Sequence, residues 1–165
     1  MLGAFSFHDA MRTMKTNGTV TLYTIGFTKT SAERFFATLR QHSVKRVIDT
    51  RLNRDGQLAG FAKAQDLQYF LRELVGADYA AEPLLAPTAE LLRRYRDKTL
   101  TWDQYAQEYV ALLRERTPER ALSPAVLNDA CLLCSEATPE HCHRRLAADY
   151  LKSAFVPAPI EVVHL

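Results

Sequence analysis

Val20-Thr21-Leu22-Tyr23-Thr24-Ile25, closed by Gly26, is the stretch on which the fold turns. Its β-branched and aromatic residues predict a buried strand, and Gly26 predicts the tight turn that ends it. Ser31 then offers a cap for a helix whose Ala32, Phe35, Phe36 and Leu39 fall on one face, and this helix is expected to stop near His42. Val44, Val47 and Ile48 supply a second short strand ending at Asp49. A strand, helix, strand succession of this kind closes a parallel pair, so the chain begins as a βαβ unit.

The rest of the sequence extends that unit into an α/β domain with a mainly parallel sheet, flanking helices and a helical insertion. Residues 51 to 60 are polar and turn-forming and predict an exposed loop. Leu67, Phe70, Leu71 and Leu74 mark an amphipathic helix ending at Gly76, and a brief extended piece follows at Asp78 to Ala80. Thr88 and Thr101 read as caps of helices over Ala89 to Lys98 and Trp102 to Arg116, with Trp102, Tyr105 and Tyr109 as packing residues. Ala130 to Cys134 is a further buried strand, His141 to Ser153 a helix, and Ile160 to His164 a last strand after Pro157 and Pro159.

Length and composition bound the function. The 165 residues, 47% hydrophobic, suffice for one domain with a continuous core, expected over residues 19–165, and Met1 to Gly18 reads as an appended arm. A net charge of +2 gives no strong general attraction to polyanions but leaves room for a local basic patch. Three cysteines, two of them in an apolar run, suit a reducing, cytoplasmic compartment. Neither a signal peptide nor an apolar run long enough to cross a membrane is evident, so no membrane partner is expected; oligomeric state is not legible.

The carboxyl ends of strands in a parallel sheet open into the ligand crevice, and three such ends carry distinctive residues: Gly26, the Asp49 and Arg51 pair, and Cys134 with Glu136. The densest local feature runs from Cys134 through Glu136 to Cys142-His143-Arg144-Arg145. Placed in the first turn of a helix, Cys142 would feel the positive end of the dipole and three basic neighbours, which favours thiolate; the plainer alternative is a small buried residue. Cys131 and Cys134 form a CxxC but stand three apart on a strand and so face opposite ways, which assigns Cys131 to the core. Zinc could draw on Cys134, Cys142, His143 and a carboxylate from Asp49 or Glu136, but no recognised ligand spacing supports it, and no metal is assigned. Asp49 and Arg51 either pair with each other or orient a substrate. The loop from Gly26 to Ser31 lacks both nucleotide-binding glycine patterns, and His8, His42 and His164 receive no role.

Tyr23-Thr24-Ile25-Gly26, Val47-Ile48-Asp49-Thr50-Arg51, Leu133-Cys134-Ser135-Glu136 and Cys142-His143-Arg144, in that order, resemble the family catalogued as domain of unknown function 488. The resemblance spans roughly Thr21 to Lys152 and includes Trp102 and Tyr105. It implies a compact α/β domain and a site made of Asp49, Arg51, Cys134, Glu136, Cys142, His143 and Arg144, without implying a reaction or a cofactor. Asn53-Arg54-Asp55-Gly56-Gln57 departs from the proline and basic residues associated with the family at that loop.

Two functions compete at this stage. In the first, an enzyme acts on a phosphate-bearing or otherwise anionic small molecule: Cys142 or Cys134 is the nucleophile, Glu136 or His143 transfers protons, and Gly26, Asp49, Arg51 and Arg144 bind the ligand. In the second, a non-catalytic regulatory or nucleic-acid-binding module uses the same basic crevice without chemistry.

Overall fold

A computed structural model describes residues 18–56 and 59–165. The expected amino-terminal arm, Gly18 apart, and the Gln57 end of the departing loop lie outside the described residues. Among the described residues five strands, β1 (Val20–Gly26), β2 (Arg46–Asp49), β3 (Asp78–Ala81), β4 (Ala130–Cys134) and β5 (Ile160–His164), form one sheet in the order β3-β2-β4-β1-β5. Every pair is parallel. The βαβ unit is present, but β1 and β2 are not neighbours: β4 enters between them. The extended piece after Gly76 is β3, an edge strand paired with β2.

Among the described residues, six helices surround the sheet: α1 (Ala32–Gln41), α2 (Ala64–Phe70), α3 (Ala89–Arg96), α4 (Trp102–Arg116), α5 (Pro124–Leu127) and α6 (His143–Ala154). Ser31 caps α1 by accepting from the Arg34 amide, and Thr101 and Gln104 form a reciprocal capping box on α4, as their spacing predicts. α2 continues through a π-helical turn, Leu71–Val75, and stops at Gly76, whose φ of 74° makes the left-handed exit that glycine permits. α5, a single turn begun by Pro124, has no counterpart in the expected elements, because four residues carry no periodicity.

Strand alternation splits the core in two. On one face Ile25, Val47, Cys131 and Leu133 pack against Phe35, Phe36 and Leu39 of α1 and Leu67 of α2. On the other, Leu22, Ile48, Ala130 and Leu132 pack against Tyr105 and Tyr109 of α4 and Ala147, Ala148 and Leu151 of α6. The topology also locates a crevice. β1 leads through α1 toward β2 on one side, whereas β4 leads through α6 across β1 to β5 on the other. The neighbouring ends of β1 and β4, Gly26 and Cys134, are therefore the switch point at which a doubly wound sheet opens to ligands. No helix among the described residues is long and apolar enough to cross a membrane.

Candidate functional site

Cys134 is the last residue of β4 and has the parity of Leu132, so its side chain points toward α6. The chain then turns through residues 135–142, held by the Thr28 hydroxyl and amide, which both donate to the Ser135 carbonyl. The turn closes where the Cys142 amide donates to the Pro139 carbonyl. α6 consequently starts at His143, two residues later than the sequence predicts, and Cys142 is the residue before it, with extended backbone at φ −130° and ψ 135°. The expectation that Cys142 occupies the first helical turn is corrected: Pro139 and the turn it anchors use up those two residues.

This geometry brings both thiols onto one carboxylate. The Cys134 thiol donates to Glu136 Oε2 at 2.8 Å and the Cys142 thiol donates to the same oxygen at 3.3 Å. Arg144, wholly buried, reaches back from the first turn of α6. Its Nη1 donates to Cys134 Sγ at 3.0 Å, to the Glu136 carbonyl at 2.6 Å and to Cys142 Sγ at 3.5 Å, while Nε donates to the Thr24 hydroxyl at 3.3 Å. Arg144 is thus closer to Cys134 than to its sequence neighbour Cys142. Its Nη2 has no hydrogen-bond partner among the described residues. Cys131 points away into the α1 and α2 core, and all three cysteines are unpaired.

The electrostatics follow from burial. Burial pushes the Cys134 thiol well above its ordinary pKa, with Cys142 and Glu136 adding to the shift and Arg144 only opposing it. Burial alone would raise the Glu136 carboxyl, but the Cys134 hydrogen bond, with those from its own backbone and from Cys142, holds the group below its ordinary value, so Glu136 is a carboxylate at neutral pH. Burial lowers His143 below 6.5 and keeps it neutral, although the Glu136 charge and the Thr50 carbonyl pull the other way. His143 Nε2 lies 3.0 Å from both the carbonyl and the hydroxyl of Thr50. The carbonyl only accepts, so Nε2 carries the proton, and Nδ1 of the neutral ring is bare.

Glu136 also faces outward. With Arg51, Asn53, Arg93, Arg96 and His143 it lines a cavity of about 390 Å³, whose apolar wall includes Phe27 and Leu92. Arg93 is engaged by Glu90 and Asp97, whereas Arg96, exposed, has no ion pair among the described residues. The sulfur atoms do not line this cavity; both cysteines are buried behind Glu136.

Of the expected site residues, Gly26, Cys134, Glu136, Cys142 and Arg144 gather at the switch point, and Arg51, Glu136 and His143 share the cavity. Asp49 stands apart. It pairs in register with Leu133, which places it on the sheet face opposite Cys134. There it takes Arg51 Nε at 2.8 Å, Arg51 Nη2 at 2.6 Å and the Tyr79 hydroxyl at 2.7 Å. Arg51 is buried as well, its guanidinium 5.2 Å from the Phe27 ring centre, so the loop after β2 is not exposed at its first residue. Of the two alternatives for this couple, the ion pair is the one present. Arg93 and Arg96 were not singled out by sequence, since arginines on an amphipathic helix read as a solvated face until the fold brings α3 to the cavity.

The family model described as Domain of unknown function DUF488 matches residues 31–151. The chain belongs to this family. The DUF488 match ends where the resemblance predicted but begins at Ser31, so Tyr23-Thr24-Ile25-Gly26 precedes it although Gly26 packs directly on the Cys134 to Arg144 segment inside it. No curated protein and no solved structure matches the chain.

Proposed function

We propose that this protein is an enzyme acting on a phosphate-bearing or otherwise anionic ligand held in the arginine-lined cavity. The observation that carries this reading is the double engagement of Glu136, which borders the cavity and whose Oε2 accepts from both buried thiols. Arg96 supplies unpaired charge for the anion, and Arg51 and Arg93 add guanidiniums fixed in place by their carboxylate partners. Glu136, ionised at rest, is the proton acceptor, and His143 with its bare Nδ1 is the second group able to move a proton. Cys134 and Cys142, buried behind the carboxylate, hold and tune it, which revises the expectation that one of them attacks the ligand directly. Three unpaired cysteines suit a reducing, cytoplasmic setting.

The test is turnover of p-nitrophenyl phosphate, its bis-ester and a panel of 5′-mononucleotides, together with calorimetric binding of pyrophosphate. Glu136→Gln is expected to lower kcat by about 10²–10⁴ while leaving pyrophosphate affinity within a few-fold. Absence of turnover on every substrate, joined to oligonucleotide binding that weakens steeply between about 50 and 200 mM salt, would replace this reading with a non-catalytic nucleic-acid-binding module.

A further inference from the structure

We infer that Cys134, Glu136 and Cys142 form a binding site for a soft divalent metal ion of the zinc class, with one coordination position left open toward the cavity. The three ligand atoms, from the end of β4, the following turn and the residue before α6, all lie within 4.8 Å of one another. Two sulfurs and a carboxylate oxygen are donors that zinc accepts and that magnesium and calcium do not favour. Tetrahedral zinc with bonds of about 2.3 Å to sulfur and 2.0–2.2 Å to oxygen needs edges of about 3.8 Å between sulfurs and about 3.5 Å from sulfur to oxygen. The sulfur to Oε2 distances are 2.8 and 3.3 Å, so the cradle opens by under about 1 Å to take the ion. Rotation of the Glu136 side chain, which reaches from the thiols to the cavity, supplies that shift.

Charge makes the exchange feasible in a buried place. Both thiols donate to Glu136, so both carry protons. Binding releases those two protons and admits one dication, forming two metal–sulfur bonds without changing the net charge of the centre. The dication with two thiolates and a carboxylate leaves one negative charge, and Arg144, buried with Nη1 on both sulfurs, supplies the matching positive charge. Arg144 has no carboxylate partner within ion-pair distance among the described residues, and Nη2 is unpartnered, so a thiolate centre beside it supplies the negative charge that this buried cation otherwise lacks. Three protein ligands and an open fourth position toward the substrate cavity is the pattern of catalytic rather than structural zinc. His143 is not among the ligands proposed, because Nε2 is committed to Thr50, and Asp49 lies across the sheet.

The inference rests on the centre proposed above and adds its resident ion, with Glu136 then a ligand and His143 left as the group that moves the proton, but its test uses no anionic substrate. Protein purified under a phosphine reductant and stripped with chelator is titrated with Co²⁺ as the probe. One ion per chain, an intense sulfur-to-cobalt charge-transfer band in the near ultraviolet and displacement by Zn²⁺ are expected, with the band weakened in Cys134→Ser and in Cys142→Ser, lost when both are replaced and kept in Cys131→Ser. Calorimetry of Zn²⁺ binding to the unmodified protein in buffers of different ionisation enthalpy is expected to return two protons released per ion, a readout that holds even if a serine variant fails to fold. No charge-transfer band, or a band undiminished when Cys134 and Cys142 are both replaced by Ser, would overturn the site. That result would leave the anion-directed enzyme standing if turnover persists in chelator, whereas a loaded centre with no turnover would sink the enzyme and keep the site.

Discussion

Gly26 and Glu136 meet backbone to backbone: a Cβ placed on Gly26 would stand 1.6 Å from the Glu136 carbonyl oxygen and 2.9 Å from Arg144 Nη1. The obstacle is main chain, so it has no rotamer with which to yield. Gly26→Ala is therefore expected to push the 135–137 turn off the end of β1 and cost about 3 kcal/mol or more, at the upper end of overpacking effects. Urea denaturation measures the loss, and a variant within 0.5 kcal/mol of the parent, roughly the scatter of a neutral surface change, would mean the turn is not seated there.

The buried couple of Asp49 and Arg51 makes a different demand. Asp49→Asn leaves Arg51 charged and without its counterion in the core, for an expected cost of about 3–5 kcal/mol. Tyr79→Phe removes only the hydroxyl that donates to Asp49 and should cost about 1.5–3 kcal/mol, as hydrogen bonds to charged groups do. If Tyr79→Phe proved the worse of the two, Asp49 would not be the charge that holds this corner together.

Acid stability isolates His143. Its pKa is lowered in the folded protein from an unfolded value of 6.5, so the unfolded chain binds the proton first as pH falls. The contribution is fully present above pH 6.5 and is lost as pH falls below it. His143→Gln, which keeps an amide N–H for the Thr50 carbonyl, should remove that slope. The stability of the parent minus that of the variant is expected to decrease from pH 7 to 5; a difference that rises on acidification would show that His143 is charged in the folded state.

Arg96 is the exposed cation of the cavity wall without an ion pair among the described residues, so its reversal tests the anion reading with little risk to the fold. Arg96→Glu should weaken pyrophosphate binding by tenfold or more, about 1.4 kcal/mol, with an unchanged melting temperature. Equal affinity in parent and variant would remove Arg96 from the ligand site.

Much of this architecture was legible because its signals are local. β4 and β5 were readable to the residue from apolar runs, and α4 from its capping box. The start of α6 was misplaced by two residues because His141 and Cys142 satisfy a helical pattern that only the turn at Pro139 cancels. The gathering of Cys134, Glu136, Cys142 and Arg144 could be anticipated from a strand end facing a helix start. The sharing of one Glu136 oxygen by two thiols could not, since it depends on side-chain directions fixed by packing. Asp49 shows the limit of position along a strand: it does sit at the edge that carries the site, but pairing with Leu133 sends its carboxylate to the other face.

The insertion of β4 between β1 and β2 bears on how the chain is made. During synthesis residues 20–49 leave the ribosome long before residues 130–134, so β1 and β2 must wait with the edges that β4 will occupy unpaired. Such edges are templates for pairing with other chains. A ribosome-bound chain stalled before Ala130 should thus be prone to self-association and lean on chaperones, and release to full length should end that vulnerability. The late arrival of β4 closes both edges and carries Cys134 to Gly26, so protection from aggregation and assembly of the thiol centre occur in one event.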